Sequence, residues 1–139
     1  FELDLEVMEQ AGTEGQYRSS ILSQLGALIH QKSQQHSDPV LLNEARDKMN
    51  ESLTMAINLN QSINIGFAVG PLIQYSCELE LPPQTWQLAI DAIQSGALED
   101  VPPYAKSAAQ TGLQNALSTP FSQQDPELTS LLQNLYNRI

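Results

Sequence analysis

Two histidines, one cysteine and sixteen aspartates and glutamates are the side chains of this 139-residue chain that could carry proton transfer, nucleophilic attack or metal binding. His30 and His36 stand six apart, which puts them on different sides of a helix rather than on the single face a metal pair requires. His30, beside Leu28 and Ile29 near a helix C-terminus, reads as a half-buried or dipole-stabilising residue, and His36 as a loop residue in water. Cys77 has no cationic sequence neighbour to favour its thiolate and reads as a small buried apolar group. The carboxylates of ELDLEVMEQ could hold a hard cation, but such a cluster is ordinarily a solvated face. No HExxH, CxxC, GxSxG, Walker or EF-hand pattern occurs, so no catalytic, metal or cofactor residue is assigned and the expectation is a non-catalytic protein.

The most apolar stretch, INLNQSINIGFAVGPLIQYSC at 57–77, invites two further chemistries. The glycines of IGFAVGP resemble a phosphate-cradling loop, where backbone N–H groups point at an anion. No Lys-Ser or Lys-Thr follows Gly70, Pro71 has no N–H to donate, and no Lys or Arg lies between Lys48 and Lys106. The phosphate reading fails on those grounds. A membrane span needs about 18 or more consecutive apolar residues. Asn60, Gln61, Ser62, Asn64, Gln74 and Ser76 interrupt this run, so no span is expected. Gly66 and Gly70 lie four apart and would give a helix a smooth face for close approach by another backbone. The less common use of such a face is to leave a ligand-sized gap.

The elements that must position these residues are helical. Ser37 or Asp38 caps, and Pro39 starts, an amphipathic helix that the spacing of Leu42, Ala45, Met49, Leu53 and Ala56 carries to about residue 64. Before it, Tyr17, Ile21, Leu22, Leu25, Leu28 and Ile29 mark a helix over about 15–36, antiparallel to the next across a tight SQQHSDP link. Pro71 is expected to bend or restart the chain near residue 70, with Phe67, Val69, Leu72 and Ile73 in the core. LPPQTWQLAI and VPPYAKSAAQ each open a shorter helix after a proline pair, and Asp125 caps a terminal helix with Pro126 at its first position. The opening FELDLEV is read as helix, although its apolar residues also alternate. The fold class is therefore all-α: one domain over 1–139, a bundle of six or seven helices, two long and antiparallel and the later ones shorter.

Sixteen acidic against six basic residues give a net charge of −10, a surface that repels nucleic-acid phosphates and anionic lipid. The chain does not begin with Met and has no signal-peptide pattern, so Phe1 reads as a cut and the chain as part of a larger protein. Its compartment stays open, with the cytoplasm as default. Frequent Gln and Asn on outer helix faces suit contact with another protein. The function expected is a protein–protein interaction module with a regulatory, scaffolding or assembly role, binding a partner or itself. The alternative is a ligand-sensing bundle with a small-molecule cavity near the Gly66–Pro71 bend. Gly66, Phe67, Gly70, Tyr75, Trp86 and Tyr104 are the candidate contact or cavity residues, with Trp86 expected to face the core beside Ile90 and Ile93.

Overall fold

The computed structural model describes residues 17–139, so the helix expected at FELDLEV lies outside the described residues. Among the described residues seven α-helices follow one another: α1 Arg18–His36, α2 Pro39–Asn58, α3 Ser62–Glu78, α4 Gln87–Gln94, α5 Pro103–Leu117, α6 Pro120–Gln123 and α7 Pro126–Arg138, with a 3₁₀ turn at Pro83–Trp86 leading into α4. No strand occurs among the described residues, and the helices close into a compact bundle.

The helix starts follow the sequence. Asp38 accepts from the backbone N–H of Val40 at 2.9 Å and of Leu41 at 3.4 Å, with Pro39 in the first turn. Asp125 does the same for Glu127 and Leu128 ahead of α7. Each cap satisfies amides that the helix itself leaves without partners.

The first long pair is antiparallel. Ser19 and Ser52 hydroxyls each donate to the other's carbonyl, at 3.0 and 2.7 Å, and further along α1 Gly26 faces Ala45 and Met49 of α2. Ser19, Ile21, Leu22, Gly26 and Ser33 are the buried residues of α1, with Met55 of α2 packed against Ile21 and Leu22, and the small ones let the helices approach closely. The second pair runs the other way. Gly66 lies against Ala105 and Gly70 against Ala109, so α3 and α5 are parallel, joined by the 3₁₀ turn and α4 that pass between them in sequence. The core lies between these layers, built from Leu53, Leu72, Ile73, Trp86, Leu113 and Leu132 among others, all at 1% exposure or less.

Four expectations are corrected. The helix begun at Pro39 ends at Asn58, not near 64, and the chain reverses at 59–61. Asn60 takes a left-handed conformation (φ 54°), and the amides of Asn60 and Gln61 return to the carbonyls of Ile57 and Ala56, at 3.2 and 2.8 Å. That is a helix-ending motif ordinarily built on Gly, which Asn also tolerates. Pro71 neither stops nor restarts the chain, because α3 runs unbroken through it. The carbonyl deprived of a donor belongs to Phe67, on the exposed side of the helix, where solvent can replace the missing bond. Phe67 itself is 37% exposed rather than in the core, whereas Val69, Leu72 and Ile73 are buried as expected. His36, finally, is the last residue of α1 rather than part of a loop, and it is exposed.

Candidate interaction surface

Close packing beneath the surface sets up what lies on it. Gly66 leaves so little between α3 and α5 that a methyl group there would come 3.0 Å from the carbonyl oxygen of Ala105. Ala105 occupies the first turn of α5, so the preceding residue, Tyr104, is brought over α3 beside Phe67. The two rings stand 5.9 Å apart, tilted by 32°. That separation lies within the attractive range for aromatic pairs. Yet both rings face outward: Tyr104 is 58% exposed, and Ile63, one turn before Phe67 on the same side of α3, is exposed too. Three large apolar side chains thus share one area of an acidic molecule.

The other candidate residues fall elsewhere. Gly66 and Gly70 are buried against α5, whose backbone fills the space beside them. Trp86 is 1% exposed and donates its indole N–H to the carbonyl of Leu81 at 3.2 Å, facing the core with Ile90 and Ile93. Tyr75 is buried too, and it carries a feature the sequence did not signal. His30 stacks on its ring with centroids 4.1 Å apart and planes within 11°, and His30 Nε2 lies 2.8 Å from Glu78 Oε1. Gln74 donates to the other oxygen of Glu78, and Asn115 of α5 donates to Gln74, so a polar chain ties α1, α3 and α5 together. Burial, then the charge of Glu78, drives the Tyr75 phenol well above its ordinary value and pushes the Cys77 thiol up to about 12. A thiol held neutral in this way is not a nucleophile. The cluster joins helices.

Ile63 could have been found in the sequence from its spacing of four to Phe67, but only with the knowledge that this face points outward. An open trough of about 630 Å³ lies between the start of α1 and the end of α2, lined by Arg18, Leu22, Glu51, Met55 and Leu59 among others, away from the glycines. Among the described residues no group of three metal-binding side chains converges, and no helix is long and apolar enough to cross a membrane. Compared with protein-family models, curated proteins and solved structures, the chain matches none.

Proposed function

We propose that this chain is a non-catalytic protein–protein interaction module, acting in regulation, scaffolding or assembly through the surface made by Ile63, Phe67 and Tyr104. The observation that carries this reading is the Phe67–Tyr104 ring pair, held together by helix packing and turned toward solvent. Contiguous apolar surface of this kind marks contact sites, and aromatic residues dominate their energetics. The acidic surface supports a protein partner over a nucleic acid or an anionic bilayer, both of which it repels.

Light scattering and chemical crosslinking test it, using the wild type and a Phe67→Gln, Tyr104→Ser double variant checked for folding by circular dichroism. Wild type should self-associate or retain a partner, and the variant should lose the contact. A strictly monomeric, partnerless wild type, or an unaffected variant, counts against it.

The trough between α1 and α2 favours a second reading, a small-molecule sensor, since its volume falls within the range of ligand sites. A thermal-shift screen separates the two, because a ligand that binds only the folded form raises its melting temperature.

A further inference from the structure

The Phe67–Tyr104 surface carries more than apolar area. Pro71 has no N–H, so the Phe67 carbonyl, one turn earlier in an unbroken α3, lacks its helical donor. That oxygen belongs to the same exposed residue whose ring stands beside Tyr104. An aromatic face carries the negative part of the ring's quadrupole, and a carbonyl oxygen accepts but never donates. Rings and oxygen therefore ask for the same kind of ligand, a cation that donates hydrogen bonds.

The surrounding charge has the matching sign. Helix α3 holds no charged side chain before Glu78. Residues 79–104 add Glu80, Asp91, Glu99 and Asp100 and no Lys or Arg. Glu99 and Asp100 are exposed in the link that enters α5 just ahead of Tyr104. Lys106 is half-buried and lies two residues beyond Tyr104, close to the opposite side of α5. A net charge of −10 draws a cation toward the molecule from a distance.

Resting on the reading of this surface as a protein contact, we propose that its occupant is an arginine side chain on a basic segment of a partner protein. The guanidinium lies over the Tyr104 and Phe67 rings and donates to the Phe67 carbonyl, with its hydrocarbon stem against Ile63. Arginine fits better than lysine because its planar group stacks by its face while donating from its edge. A second copy of the chain fits less well, since it brings −10 against −10, and Arg46 is already engaged with Asp47, the Ser76 hydroxyl and the Thr85 carbonyl.

The probe is a fluorescein-labelled peptide of alternating Arg and Ala, titrated with the full chain and followed by anisotropy, beside twins carrying Lys or uncharged citrulline in place of Arg. Tyr104→Leu keeps apolar bulk and removes the aromatic face. Pro71→Ala returns an N–H to the Phe67 carbonyl, and alanine suits a helix interior better than proline. The Arg peptide should bind, weaken with added salt, and bind about fivefold less tightly to each variant. The Lys twin should bind less well and the citrulline twin least. No binding of the Arg peptide, equal binding of either twin, or indifference to both substitutions overturns the proposal, as does wild-type self-association that the peptide fails to displace. A partner lost by the Phe67→Gln, Tyr104→Ser variant but kept by Tyr104→Leu and Pro71→Ala would leave the contact surface standing and remove the arginine from it.

Discussion

Gly112 of α5 sits on the backbone of Gly70 in α3 so closely that a methyl group on either residue would run into the opposite main chain. A Cβ built on Gly70 would come within 2.7 Å of the Ala109 carbonyl oxygen, and one on Gly112 would fall on the Gly70 backbone itself.

Gly112→Ala should therefore destabilise the protein by about 2–3 kcal/mol in urea denaturation, despite alanine's better helix propensity, because neither backbone can yield without moving its helix. Gly26→Ala is the control. Its nearest obstacles are the Ala45 carbonyl at 3.2 Å and the flexible end of Met49, also at 3.2 Å. Its stability should change by less than about 1 kcal/mol. Equal costs at the two sites would refute the close crossing of α3 and α5.

Cys77 and Tyr75 make the fold sensitive to alkali. Both acids are raised in the folded state, Cys77 to about 12, so folded molecules keep protons that unfolded ones release. Their contribution is intact below the unfolded thiol value of about 8.5 and is lost as pH climbs toward 12, at up to about 1.4 kcal/mol per pH unit for each group. Denaturation midpoints should fall between pH 8 and pH 11. Cys77→Ala should flatten that fall. Native Cys77 should also resist iodoacetamide at pH 8 until denaturant is added, and rapid native labelling would contradict its burial.

Two aspartates hold helix starts with the same geometry, so each makes the same prediction. Asp38→Ala and Asp125→Ala should each cost about 1 kcal/mol, and Asn at either position should recover most of it, since an amide oxygen caps nearly as well. Thermal melts of the four variants check this.

The elements written in local chemistry were legible. Asp-Pro pairs opened α2 and α7 where the sequence placed them, and the spacing of Trp86 to Ile90 and Ile93 put the indole inside. The break after Asn58 was not, because its left-handed residue is Asn60 rather than Gly, within a row of polar residues that a helix could also have continued. Ser37 and Glu80 are likewise left-handed just after α1 and α3, positions that no residue preference would have selected. The restart expected at Pro71 does not occur, for the complementary reason. A proline's cost depends on whether the carbonyl it orphans is wet, which is a property of the packed helix and not of the hexapeptide. For the surface, Gly66 and Gly70 announced a smooth face, and Ala105, Ala109 and Gly112 form a matching small-residue row, but nothing local says that the two rows meet. Phe67 and Tyr104 become neighbours only through that meeting.

The common direction of α3 and α5 also imposes an order in time. Helices joined by a short reversal, such as α1 with α2, can find each other as soon as they form, because closing a small loop costs little entropy. Two helices that run the same way have a whole crossover between them, and here the 3₁₀ turn and α4 lie in the chain between the glycine rows. Docking those rows closes a longer stretch of chain than pairing α1 with α2 does, and contacts distant in sequence go with slower folding. A chain arrested just short of it would hold ready-made hairpins while leaving its narrowest seam, and the aromatic pair above it, still unassembled.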